Sequence, residues 1–167
     1  MAGTDPALVS SMRAAAAALA DALDAAAGLT TTLDDPAYRE WRYLPGPRDG
    51  ALLADMTAAQ RDLAFALLDT GCSATSRATA RAVIDLDLVR RELGGGDPQP
   101  GDDRFWWRVI GDPANDEAWA WRVNGHHLAL HVTVVGDQVT VTPSFFGSEP
   151  ATVLSGPREG LRVLTAE

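Results

Sequence analysis

Between Glu117 and Phe146 large apolar residues alternate with small or polar ones, and two tight-turn pairs interrupt the alternation. Successive side chains of a strand point to opposite faces, so a stretch of this kind is restricted to a sheet with one apolar side. Trp119-Ala120-Trp121-Arg122-Val123 has the period of a half-buried strand. Asn124-Gly125 offers the two positive-φ positions of a type I′ hairpin turn. Gly136-Asp137 offers a second turn, between runs rich in Val and Thr, residues that favour strands. The spacing predicts a three-stranded antiparallel meander.

Two-residue turns fix register, and register fixes which residues face one another. The expected pairs are Arg122 with His127, Ala118 with His131, His131 with Thr142, Ala129 with Ser144, and His127 with Phe146. One face then carries Trp119, Trp121, Val123, Leu128, Leu130, Val132 and Phe145, with His126 at its end, and is core. The other carries Arg122, His127, His131, Thr133, Thr142 and Ser144 around three alanines. Antiparallel sheets commonly wet one side, so this second face is expected to be open to water or a ligand. An extra residue near Gly125 or Pro143 would exchange the faces beyond it.

The first half of the chain reads as helices. Asp5-Pro6 suits an N-cap and first turn, Leu8, Met12, Leu19 and Leu23 form one stripe, and Gly28 is the expected stop. Tyr38 to Tyr43 is expected to be extended. Thr57 with Gln60 makes a capping box for a helix running to Gly71. Ser73 or Ser76 caps a third helix, with Ala80, Val83, Ile84 and Leu88 on one side. Gly94 to Asp103 reads as a Gly- and Pro-rich linker, and Phe105 to Ile110 as a fourth strand. Helices and strands segregate along the chain. That predicts a single α+β domain over residues 1–167, a mainly helical 1–93, a linker 94–103 and a sheet half 104–167. The architecture expected is a four- to five-stranded, mainly antiparallel sheet with about three helices on one face.

Composition bears on partners. A net charge of −9 argues against nucleic acid or an anionic membrane, since phosphate binding needs basic surface. Cys72 is the single cysteine, so neither an internal disulfide nor a thiolate metal site can form. No 18-residue apolar run and no basic-then-apolar leader is present, and a cytoplasmic location is expected.

Several elements resemble a known family. Arg42-Tyr43-Leu44-Pro45-Gly46-Pro47-Arg48-Asp49-Gly50, the run Trp119 to Leu128 with its Gly125-His126-His127-Leu128, and Thr142-Pro143-Ser144-Phe145-Phe146-Gly147 are similar to the family catalogued as domain of unknown function 3500. The resemblance implies a bacterial family with no activity to carry over. It also implies members that run on beyond the position of Glu167, and asparagine as the common residue where this chain has His131.

Histidine, the commonest metal ligand and a proton shuttle at neutral pH, points to two chemistries. For acid–base catalysis the candidates are His127, His131 and Glu117, with Arg122, Thr142, Ser144, Phe146, Arg48 and Trp41 as substrate contacts. For a divalent metal the candidates are His126, His127, His131 and Glu149. On the expected register a metal is the harder case. His126 and His127 would point to opposite faces, and His127 and His131 would stand about 13 Å apart. The expected function is an enzyme using histidine acid–base catalysis on a small polar or anionic substrate. The alternatives are a metal-dependent enzyme and a non-catalytic binding module or homodimer built on the same sheet face.

Overall fold

The computed structural model describes residues 5–44, 46–94 and 105–164, with backbone alone at 37 and 88–94. Asp5 caps the first helix, α1 (Pro6–Ala22), by accepting from the Ala7 N–H, and Pro6 sits where its missing N–H costs nothing. The helix stops before the glycine expected to end it. Gly28 instead closes a 3-10 turn over Ala25–Ala27, with φ 69. The Thr57–Gln60 capping box is made at the start of α2 (Ala58–Thr70). Ser73 accepts from the Ser76 N–H at 3.2 Å where α3 (Ala74–Gly94) begins. Of the linker expected over 94–103, Gly94 ends α3 instead and 95–103 lie outside the described residues, as does the side chain of Leu88.

One sheet holds six strands: β1 (Thr30–Thr31), β2 (Ala51–Leu52), β3 (Phe105–Ile110), β4 (Ala118–Gly125), β5 (Leu128–Val135) and β6 (Gln138–Phe146). Their order is β1-β3-β4-β5-β6, and β2 also pairs with β3. The fold is α+β, as the segregation of helices and strands predicts. The count exceeds four or five because β1 and β2 are two residues each, too short to leave a periodic signal, and β1 runs parallel to β3. The Tyr38–Tyr43 piece is not a strand: Pro36–Arg39 forms a 3-10 turn and the rest is irregular. Among the described residues, no helix is long and apolar enough to cross a membrane.

The β4–β5 register differs from the expected one by four residues. Trp121 faces Val132 rather than Leu128, and Arg122 faces His131 rather than His127. Asn124 and Gly125 are not the turn, because β3 holds them in the sheet: Trp106 pairs with Asn124 and Phe105 with Gly125. The turn falls on His126 and His127, and His127 takes the left-handed conformation at φ 61. A shift of four is even, so the two faces of β4 and β5 keep their expected residues.

A second departure does exchange faces. Leu130 pairs with Ser144, yet Val132 pairs with Val141, so His131 stands opposite two residues, Thr142 and Pro143. Proline has no N–H to give a ladder, and an extra residue beside it is how a strand accommodates one. Past this bulge Ser144 and Phe146 turn to the first face and Phe145 to the second, the reverse of expectation.

The first face is the core. Val9, Met12, Ala16 and Leu19 of α1, Ala64, Leu67 and Leu68 of α2, and Ala80, Val83 and Ile84 of α3 pack on Trp107, Trp119, Trp121, Val123, Leu130 and Val132. Trp107 donates its indole N–H to Ala64 O at 2.9 Å, which fixes α2 on the sheet. Gly71, at the end of α2, lies so close that a Cβ there would fall 2.7 Å from the Trp121 ring. Gly71→Ala is therefore expected to destabilise the chain by about 1–3 kcal/mol through overpacking, read from the midpoint of urea unfolding.

Candidate functional site

The second face of the sheet is not open. The segment from Asp35 to Tyr43 lies against it, meeting Arg108, His131, Arg122 and Phe145, and covers much of what was expected to face a ligand. Arg108, Arg122 and His131 form one row across β3, β4 and β5. Like charges directly opposite on a sheet repel, and a buried charge is tolerated only when paired. Two carboxylates from the covering segment supply the pairing. Asp35 Oδ2 lies 3.3 Å from Arg108, and Glu40 Oε2 lies 3.3 Å from Arg122, which also donates to Glu40 O at 2.9 Å. Arg122 is 1% exposed.

His131 is buried under the same segment, its ring 5.1 Å from that of Tyr38 and edge-on to it. Burial, reinforced by Arg122 across the strand, lowers its pKa to about 4. It is a neutral, enclosed imidazole, which corrects its placement in an open pocket. It also lies apart from His127, which sits in the turn at the end of the hairpin. The other candidates scatter. Glu117 is exposed at the far end of β4, where its carbonyl accepts from Gly136, on the order of 25 Å along the strand from the histidine turn. Thr142 and Ser144 are exposed on the outer strand. Phe146 packs against the core. Arg48 does not clamp an anion: its guanidinium donates to the carbonyls of Gly46 and Pro47 at 2.7 and 3.0 Å and to that of Leu44, stapling its own loop. Trp41 stacks edge-on with Tyr43 at 5.2 Å.

What the fold does bring together is the histidine turn. The rings of His126 and His127 stack with centroids 3.9 Å apart and planes at 29°. Placing both in a two-residue turn, with His127 at positive φ, makes adjacent histidines neighbours in space instead of opposites across a strand. Glu149 joins them: its Oε2 is 3.4 Å from His126 Nε2, and one ligand atom from each of the three lies within 4.8 Å of the others. Bonds of 2.0–2.1 Å in a tetrahedral site put ligand atoms about 3.3 Å apart, close to the 3.4 Å between His126 and Glu149. His131 stays outside this group.

Behind His126, the buried carboxylate of Asp87 lies 3.1 Å from Nδ1. A carboxylate on one nitrogen of a histidine holds the ring in place, and here the other nitrogen, Nε2, points toward Glu149. Asp87 is 3% exposed on α3 and was missing from the candidates. A signal for it exists in the sequence: Ala80, Val83, Ile84 and Asp87 follow one helical stripe, so an acid occupies an apolar position.

Local packing holds the front of the site. Gly147 donates to His127 O at 2.6 Å, and a Cβ at Gly147 would come 3.0 Å from His127 Cγ. Ser148 Oγ donates to Pro150 O at 3.0 Å, and Val153 is buried against Leu86 of α3. Glu149 is thus carried on a short span anchored at both ends, with its carboxylate more than half exposed. The site grades from a buried back wall at Asp87 and His126 to a solvent-facing front at Glu149.

The lowered pKa of His131 makes a pH prediction. The unfolded chain takes up this proton near pH 6.5, while the folded chain resists until about pH 4. Stability from this group is therefore complete above pH 6.5 and falls as pH drops from 6.5 toward 4, by on the order of 2–3 kcal/mol. Arg122 and Tyr38 are the groups that face it. His131→Asn should flatten that part of the stability–pH curve, measured by denaturant unfolding at stepped pH.

No curated protein and no solved structure matches the chain. A family model does, over residues 5–167, and it is described as a protein of unknown function, DUF3500. With nearly the whole length matched, the chain belongs to the DUF3500 family.

Proposed function

We propose that His126, His127 and Glu149 hold a divalent transition-metal ion, and that the protein is a metal-dependent enzyme acting on a small polar or anionic molecule. The observation that carries this reading is the meeting of three ligand atoms within 4.8 Å, backed by the Asp87 carboxylate on the far side of His126. Two imidazoles and one carboxylate suit zinc or ferrous iron. Three protein ligands leave coordination positions for water or substrate, the feature that separates catalytic sites from closed structural ones. A bound ion there would polarise a substrate oxygen or lower the pKa of its own water. The positive φ of His127 supports the same reading, because a non-glycine residue held in that region costs on the order of 1–3 kcal/mol and such strain gathers at functional sites.

A second reading keeps histidine acid–base catalysis but moves it. Asp87 orients His126 as the acid does in an acid–histidine pair, so His126, rather than His127 or His131, is the proton-transfer group. Removing metal distinguishes the two, since chelation abolishes turnover in the first and leaves it in the second.

Zinc titration of the dialysed chain, followed by calorimetry, is expected to give about one ion per chain. His127→Asn should retain the turn, because asparagine tolerates positive φ, and should weaken zinc by at least about tenfold. Glu149→Gln and Asp87→Asn should weaken it by about 10–100-fold without lowering the melting temperature to match. Zinc affinity unchanged across the three variants removes the metal reading.

A further inference from the structure

A residue other than glycine keeps a positive φ only where its surroundings over-determine it, and His127 is held on both sides of its Cα. Its carbonyl accepts from the Gly147 N–H at 2.6 Å, and its own N–H donates to Tyr43 O at 3.0 Å. Gly147 directly follows β6 and is placed by the sheet. Tyr43 lies in a loop far away in sequence, and a loop carbonyl is only as well placed as its loop.

That loop has little burial of its own to hold it: Leu44 is 64% exposed and Tyr43 36%. Arg48, itself buried, closes it by donating to the carbonyls of Leu44, Gly46 and Pro47. The same guanidinium lies 5.9 Å over the Trp106 ring, which ties the loop to β3. On the other side the Tyr43 ring lies 4.4 Å from that of Phe145 on β6. The ring of Tyr43 is thus set by the sheet, and its peptide by the bond to the carbonyl of the next residue. A planar fork of five donors can serve several carbonyls at once, whereas a lysine ammonium is a compact point charge that cannot keep the same geometry.

We infer that Arg48 is a positioning residue for the metal centre: by closing its loop it aims the Tyr43 carbonyl at the His127 N–H, and that bond holds the His127 imidazole beside His126 and Glu149. The route runs from the Arg48 guanidinium to Leu44 O, from the adjoining Tyr43 O to the His127 N–H, and through the turn that stacks the two imidazoles 3.9 Å apart. Arg48 acts through the backbone of one ligand and has no need to touch the ion. Its effect on metal rests on the metal reading; its brace on the turn does not.

Zinc calorimetry on the intact chain and hydrogen exchange at single amides by NMR test the two halves. Arg48→Ala is expected to weaken zinc by about tenfold or more, as loss of a group that orients a ligand does. It should also speed exchange of the His127 amide by at least about tenfold, while Val123 and Leu130, paired in the hairpin, keep their rates. Arg48→Lys should fall between on both measures, and it reads the brace if Arg48→Ala fails to fold. In a His127→Asn background the imidazole is already gone, so adding Arg48→Ala should cost zinc nothing further; a general loss of structure would carry its cost into that background too. The inference is overturned if the His127 amide exchanges at its unaltered rate in both Arg48 variants, or if Arg48→Ala weakens zinc equally with and without His127. Faster His127 exchange in a chain that binds no zinc keeps the brace and removes the metal reading. Zinc bound equally well by both Arg48 variants and the unaltered chain removes Arg48 from the centre and leaves the metal.

Discussion

A guanidinium with 1% exposure in the middle of a sheet is the constraint on which the rest of this structure turns. Arg122 sits between Arg108 on one strand and His131 on the next. Such a row survives burial only with carboxylates brought against it, and Asp35 and Glu40 are brought by one segment. Glu40 serves two arginines at once, Arg42 at 3.0 Å on one oxygen and Arg122 at 3.3 Å on the other. Laying that segment down converts a face that looks solvated into a second, polar interior. It also encloses His131, and that burial, with Arg122 beside it, lowers the imidazole pKa to about 4.

The same covering segment organises what lies beyond it. Past Glu40 the chain runs through Trp41 and Tyr43, whose carbonyl holds the His127 N–H, and then closes on itself through the Arg48 staple. The cluster of potential ligand groups lies at the hairpin end of the sheet and not at its middle. There a strained two-residue turn, the end of β6 with the span after it, and an acid from α3 converge. Each of the three comes from a different part of the chain, and each is fixed by packing independent of any ligand. Gly147 against His127, Val153 against Leu86 and the α3 stripe on the sheet provide that packing.

The amino-acid sequence by itself determined the class of fold, the capping of α2, the meander and the two faces of β4 and β5. These follow from periods of 2 and 3.6 and from local capping chemistry, which act over a few residues. It also offered His126, His127 and Glu149 among its metal candidates, without the geometry that brings these three within 4.8 Å. Only the tertiary structure decided the register, because Asn124-Gly125 is a good turn locally and loses to the pairing that β3 offers both residues. A slip of four residues costs nothing in facial pattern, so alternation is blind to it, yet it moves His127 from a strand into a turn. The bulge at Pro143, the burial of Arg122 and the Asp87–His126 contact are equally contacts between segments distant in sequence. No local rule reaches that far, since what pairs with a buried charge is set by which backbone passes over it.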